Sequence, residues 1–404
     1  MNEVILVFNA GSSSIKFALY PPASDIPRDA LLRGEVSDIG HAPRFVARAQ
    51  QLKPVDEALA SGADAGNFRH RDAIAHVMAW LKRTAGQYQI VAAGHRVVHG
   101  GEDYSQPVII DDSVLRTLDA LVPLARTHEP HEIAAIRAVA EAWPALRQVA
   151  CFDTAFHRAQ PEVAQLYGLP KEFAAAGVRR YGFHGLSYQY IAQVLPGQVG
   201  PGADGRVIVA HLGSGASLCA MARRRSIATT MGFSTLDGLL MATRCGALDP
   251  GVVLYLIEER GMSAREVSDL LYNRSGLLGV SGVSGDMRTL LASADPHARR
   301  AVDLFVYFVA REIGALAAAL EGLDVLVFTG GIGEHAAEIR ARICGACRWL
   351  GIELDAEANR RHASCITATG SRASAWVIPT NEEAVIARDT MRVLAAQGTT
   401  PAQM

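Results

Sequence analysis

Two stretches of the chain follow one plan: VILVFNAGSSSIKFAL at residues 4–19 and VIVAHLGSGASLCAM at residues 207–221. Each reads as an apolar strand, a turn of small residues and a second apolar strand. A supersecondary unit that opens both halves of a chain points to a duplicated fold, with one turn of each copy facing a cleft between the halves. At 404 residues the chain also exceeds what one ordinary core serves, so two domains are expected.

The rest of the pattern is α/β. Short β-branched runs at 4–8, 90–93, 207–210, 325–328 and 376–378 alternate with segments of helical period. Ile74, Val77, Met78 and Leu81 fall on one helical face, as do Val302, Phe305, Val306, Val309, Ile313 and Leu316. Loops are predicted at 21–29, 61–66 and 196–205, and a frayed tail at 398–404.

Composition excludes several classes. With 20% charged residues and a net charge of −2 the chain offers no polycationic face, so nucleic acid is not an expected partner. The first apolar run follows Glu3 and leads into a glycine turn with no cleavage pattern, and 305–320 is broken by Arg311 and Glu312. No stretch reaches the roughly 20 apolar residues a bilayer needs; a cytoplasmic protein with no membrane partner is expected. Six cysteines without a secretion signal suggest free thiols, and the lone CxxC of Cys344 and Cys347 lacks a second pair or histidines at ligand spacing, so it is read as structural.

Several motifs carry chemistry. Asn9-Ala-Gly-Ser-Ser-Ser-Ile-Lys16 supplies hydroxyls, an amide and an ammonium where a backbone can approach a ligand closely; these are phosphate-binding groups, although the spacing is not that of a Walker loop. Alone it reads as a turn, but its twin at His211-Leu-Gly-Ser-Gly-Ala216 favours function. Phe328-Thr-Gly-Gly-Ile-Gly-Glu334 reads as strand, glycine turn, then helix from Ala336, which lets a nucleotide lie across backbone amides. Arg96 and Arg244 sit among small and apolar residues, held either by buried carboxylates or aimed at an anion. Glycines around Phe183-His184 suggest a tight turn presenting the imidazole, and Asn381-Glu382-Glu383 either binds Mg²⁺ or caps the next helix.

The stretches NAGSSSIK, GHRVVHGG, FDTAFH, RRYGFHG, HLGSGAS, ATRCGALDPG, FTGGIGEH and PTNEE occur in the order seen in the acetate/propionate kinase family, and the chain resembles that family over nearly its whole length. The resemblance implies the duplicated ribonuclease H-like, actin-like fold of the acetate and sugar kinase, heat-shock chaperone and actin superfamily, with substrates in an interdomain cleft. It implies an N-terminal acyl-substrate domain of residues 1–155 plus 388–404 and a nucleotide-binding domain of residues 156–387. The implied reaction is phosphoryl transfer between ATP and acetate, with Mg²⁺ or Mn²⁺, in a homodimer. Propionate or butyrate is the alternative substrate, and a catalytically silent nucleotide-binding regulator the alternative class.

By the same resemblance, Lys16, Ser12 and Ser14 meet phosphate, and Asn9 and Glu382 meet the metal. His211, Leu212, Gly213, Ser214 and Gly215 hold the ATP phosphates, while Asp286, Met287, Arg288 and the turn Gly330, Gly331, Ile332, Gly333 and Glu334 hold the adenosine. Arg96, Arg244 and His184 stabilise the transferring group beside Asp153, and Arg96, Val98, Phe183 and His128 surround the acid. A carboxylate with a pKa of about 4–5 is already ionised at neutral pH, so Asp153 need not be a base. The chain departs from the family at Ser214, where asparagine is usual, at His335 for asparagine, at Thr235 where proline is common, and in a longer segment before His131.

Overall fold

The computed structural model describes residues 2–11, 14–23, 25–26, 29–49, 52–84, 88–125 and 128–397; Ser12 and the tail at 398–404 lie outside these. The chain divides into two compact units, Met1–Ala155 with Asn381–Met404, and Phe156–Thr380. The expected boundary at residue 388 is displaced. Helix Glu382–Ala396 is a single element whose buried face, Ala384 to Thr390, packs on the sheet of the first unit, and a boundary inside it would split that face.

Among the described residues the first unit holds strands β1 (Asn2–Ala10), β2 (Ile15–Tyr20), β3 (Leu32–Ser37), β4 (Arg44–Ala49), β5 (Leu52–Ala58), β6 (Tyr88–Val97), β7 (Val108–Ile109) and β8 (Arg147–Phe152). Their order is β5-β4-β3-β2-β1-β6-β8-β7. The second unit holds β9 (Arg206–Leu212), β10 (Ala216–Ala222), β11 (Arg225–Thr229), β12 (Val325–Thr329) and β13 (Ser374–Val377), in the order β11-β10-β9-β12-β13. The segment β3-β2-β1-β6-β8 matches the second sheet strand for strand. In each, the first three strands are antiparallel and the last two join in parallel. The duplication suggested by the repeated hairpins therefore extends over five strands of each unit.

Both helical stripes pack as their periodicity requires. Helix His70–Thr84 buries Ile74, Val77, Met78 and Leu81 in one core with Phe17 and Phe45 of the first sheet. Helix Pro296–Ala319 buries Val302, Phe305, Val306, Val309, Ile313 and Leu316. Each such side chain contributes about 1.5–3 kcal/mol of hydrophobic stabilisation.

Local expectations fail at three places. A 3₁₀ helix, Gly62–Asn67, occupies the loop expected at 61–66. Helix Gly185–Val199 runs through Pro196 and stops only at Gly200, whose φ of +72° suits glycine and whose N–H bonds the Pro196 carbonyl. A proline in the last turn forfeits one backbone bond, and the glycine sets the end. The glycines of 330–333 are not a turn ahead of a helix from Ala336: they are the body of helix Gly330–His335, and Ala336 is the break before helix Ala337–Ala346.

Cys344 and Cys347 are buried free thiols, pushed up to about 12 by burial. Among the described residues no group of histidines, cysteines and acids could hold a metal by itself, and no helix is long and apolar enough to cross a membrane.

Candidate functional site

In the first unit, the sequence candidates collect at the carboxyl ends of the parallel strands β1, β6 and β8, where open α/β sheets bind ligands. Asn9 pairs in register with Lys16 across the β1–β2 hairpin, and the Gly11 N–H closes the turn on the Ser14 carbonyl at 2.8 Å. Behind the turn, His70 Nε2 donates to the Gly11 carbonyl at 2.9 Å, and its ring stacks on His131 at 3.6 Å.

Arg96, next to last in β6, meets the residue that follows β8. Its Nε and Nη2 both donate to Asp153 Oδ2, at 3.1 and 2.6 Å, and its Nη1 donates to Glu132 Oε1 at 3.3 Å. The other Glu132 oxygen accepts the Val98 N–H at 2.9 Å. Burial works against the Arg96 charge, but Asp153, then Glu132, then Glu382 outweigh it and raise its pKa. Of the two alternatives for this arginine, the structure shows the grip of the buried carboxylates, with 13% of the side chain still exposed.

Glu132 and Glu129 lie one turn apart on helix Glu129–Ala142, both fully buried. Burial first, and then the charge of the neighbouring Glu132, raises the Glu129 carboxyl well above the ordinary range, so it is protonated at neutral pH. His128 is the half-buried N-cap of that helix, and Val98 is buried just past β6.

Glu382 opens the first turn of helix Glu382–Ala396, within electrostatic reach of Arg96. Capping is done by Asn381, whose Oδ1 accepts the Ala384 N–H at 3.1 Å and the Tyr20 hydroxyl at 3.0 Å. The acid therefore remains available for another role.

In the second unit, His184 sits at the N-cap of helix Gly185–Val199 with φ +57°. That left-handed conformation costs roughly 1–2 kcal/mol in an L-residue, and such strain gathers at functional sites. The expected presentation of the ring is realised: His184 stacks on His211 at 4.3 Å, and its Nδ1 bonds Ser217 Oγ at 2.8 Å. Its Nε2 faces the β9–β10 turn. A methyl built on Gly215 would stand 3.2 Å from His184 Nε2 and 3.4 Å from Arg244 Nη2, so a glycine here leaves open the space onto which both groups converge. Arg244 Nη1 is fixed by the Thr235 carbonyl at 2.8 Å. His211 Nδ1 bonds Ser187 Oγ, also at 2.8 Å.

Beside this turn lies a cavity of about 640 Å³, lined by Gly213, Ser214, Asp286, Met287, Arg288, Gly331 and Ile332 among others. The size suits a small-molecule ligand. Among the described residues, the other predicted nucleotide residues are not in its wall. Leu212 and Gly330 are buried, and Glu334 turns away to brace its own loop, with Oε1 accepting the N–H groups of Gly330 at 2.9 Å and Thr380 at 3.3 Å. Asp286 spends its carboxylate capping helix Met287–Ala292 through the Thr289 N–H. Phe183 is buried, and its carbonyl accepts from His157 Nε2.

Sequence reasoning missed Glu132, Ser217, and the cavity residues Ala242, Gly285, Leu291 and Ala336. Glu132 had a signal: with Glu129 it falls on the apolar face of Ile133, Ile136 and Val139, where an unpaired acid would be costly.

Comparison with known proteins agrees with this layout. The model of the acetokinase family matches residues 4–388. An acetate kinase of Rhodopseudomonas palustris strain TIE-1 is 56% identical over 97% of this chain and 99% of its own length. Among solved structures, a propionate kinase from Francisella tularensis superposes with a TM-score of 0.89 at 36% identity, covering 97% of this chain and 100% of that one. The Porphyromonas gingivalis acetate kinase gives 0.84 at 35%, with the same coverage.

Proposed function

Because the chain belongs to the acetokinase family, a family of kinases, we propose that it transfers the γ-phosphoryl group of ATP reversibly to acetate, giving ADP and acetyl phosphate by direct in-line attack of the carboxylate. The observation that carries this reading is the convergence of His184 Nε2 and Arg244 Nη2 on the side-chain-free Gly215, at the edge of the 640 Å³ cavity. In-line phosphoryl transfer needs little covalent help; it is accelerated by positioning and by neutralising charge on the equatorial oxygens.

In this reading Gly213, Ser214, Gly331, Ile332 and the Asp286–Arg288 segment hold the nucleotide. Lys16 and Ser14 meet phosphate oxygens, and the two arginines with His184 stabilise the moving group. Asp153 is the clamp of Arg96 and not a base, since the acid arrives ionised. Val98, Phe183 and His128 belong to the acid's surroundings.

Asn9 and Glu382 offer hard oxygen donors, which fit Mg²⁺ or Mn²⁺; such an ion takes few protein ligands and completes its shell with phosphates and water. When bound, the ion neutralises phosphate charge.

The reading includes cytoplasmic location and a homodimer. Val252, Leu254, Tyr255 and Ile257 are all at least 39% exposed on helix Pro250–Glu258, an apolar face suited to self-association. Light scattering of the purified protein checks the dimer.

The decisive assay incubates the protein with Mg-ATP and acetate, propionate or butyrate and traps acyl phosphate with hydroxylamine. The highest kcat/KM is expected with acetate. A higher value with a longer acid changes the substrate but not the reaction, and no trapped product with any acid sinks the catalytic reading.

A further inference from the structure

His184 has two ring nitrogens, and its chemistry depends on which one carries the proton. Nε2 points toward Gly215, 3.2 Å from where a methyl there would stand, while Nδ1 lies 2.8 Å from Ser217 Oγ on β10. Ser217 is fully buried, and its hydroxyl is also 2.5 Å from the hydroxyl of Tyr188. Tyr188 stands one helical turn beyond His184, with its N–H on the His184 carbonyl at 3.1 Å. The three side chains form a row: Tyr188 behind, Ser217 in the middle, His184 at the cavity.

The row has one direction. Tyr188 is fully buried, and among the described residues Ser217 Oγ is the only hydrogen-bond partner of its hydroxyl. A buried O–H left without an acceptor is costly, so the Tyr188 proton points to Ser217. Burial pushes the phenol well above its ordinary value, which keeps it a donor. Ser217, accepting from Tyr188, has its own proton to give and a nitrogen at 2.8 Å to receive it.

We infer that Tyr188 and Ser217 are positioning residues that fix His184 as the neutral tautomer with its proton on Nε2, presenting a hydrogen-bond donor beside Arg244. The stack on His211 holds the ring plane, and the left-handed backbone at His184 aims it. A neutral donor suits an oxygen whose charge rises during transfer, because its N–H can bond that oxygen with no proton gained or lost by the ring. The inference rests on the proposed role of His184, but the tautomer is a property of the protein alone and can be read without turnover.

The test begins with nitrogen-15 spectroscopy of the full chain labelled at histidine, the His184 signal being assigned by its loss in His184→Gln. The expected pattern is a protonated Nε2 and an unprotonated Nδ1 at neutral pH. A proton on Nδ1, alone or on both nitrogens, overturns the inference whether or not the protein is an active kinase. Conversely, the expected tautomer in a protein that makes no acyl phosphate leaves the inference standing and removes the proposed function.

Kinetics give a second reading. Ser217→Ala should lower kcat by about tenfold to a hundredfold, less than the roughly hundredfold to thousandfold cost of deleting a transition-state donor outright, with KM for ATP changed less than about twofold. Tyr188→Phe should do the same more weakly. In a His184→Gln background, where an amide N–H replaces Nε2–H, Ser217→Ala should cost little more, because the residues act as one unit. A full, independent loss there would mark Ser217 as merely structural and overturn its positioning role.

Discussion

The two units share a five-strand plan but hold two inward-facing arginines, Arg96 and Arg340, in opposite ways. Arg96 in the first unit is clamped by the carboxylates of Asp153 and Glu132. Arg340 in the second is 0% exposed and, among the described residues, bonds only uncharged groups: Asn359 Oδ1, the carbonyls of Gly333, Glu334 and Asn359, and His362 Nδ1. Burial opposes both charges. In Arg96 the carboxylates overcome it and the pKa rises; in Arg340 burial prevails and the pKa falls. The first unit has thus built a compensated cluster that fixes a guanidinium in place. Beneath the helix Gly330–His335, which helps line the cavity, the second leaves an uncancelled positive charge, useful where a polyanionic ligand is to bind.

The comparison breaks most visibly at Arg96. Arg96→Ala strands two buried carboxylates and should cost about 3–5 kcal/mol of stability, measured by urea unfolding, along with most of kcat. Stability loss alone therefore cannot mark this arginine as structural. Adding Glu132→Gln and Asp153→Asn should restore much of the stability and none of the activity. An Arg96→Ala variant as stable as the parent would remove the clamp from the account.

Arg340→Met is expected to be gentler. It leaves several buried acceptors without donors at about 1 kcal/mol each, so a loss of about 2–4 kcal/mol is expected, together with a raised KM for ATP and an unchanged KM for the acid. Equal effects on both KM values would mean that Arg340 supports the unit as a whole and not the cavity wall.

Glu129→Gln tests the compensated side from within. A carboxyl raised by burial binds its proton more tightly folded than unfolded. Its presence therefore erodes stability as pH climbs from the ordinary glutamate range through neutrality. The amide should be near neutral at pH 5 and stabilising by about 1 kcal/mol or more at pH 8, read as Tm against pH. A constant offset across that range would show that Glu129 does not titrate there.

Asn381→Ala should produce the smallest effect, about 1 kcal/mol for a lost cap. Differential scanning calorimetry should assign that loss to the first unit if the two units melt separately.

Much of this was legible in the chain itself. The paired hairpins announced the duplication, and both helical stripes became buried faces as their spacing required. The glycines flanking His184 foretold its strained turn. Pro196 misled because proline is a helix breaker by local rule, while its cost is small one turn from an end that Gly200 sets. Glu334 misled in the same way: a motif names a neighbourhood, and the direction of a carboxylate within it follows from which backbone N–H groups lie in reach.

Periodicity and turn chemistry determined the duplicated α/β plan, and the order of the motifs carried the resemblance to the family that the comparisons then showed, because these are properties of residues near one another along the chain. Which partners hold Arg96, which tautomer Tyr188 and Ser217 impose on His184, and where the boundary at residue 381 falls were decided by the tertiary structure. Those outcomes depend on side chains far apart in sequence meeting out of water. There a single hydrogen bond or buried charge is worth enough to choose between arrangements that local pattern leaves equal.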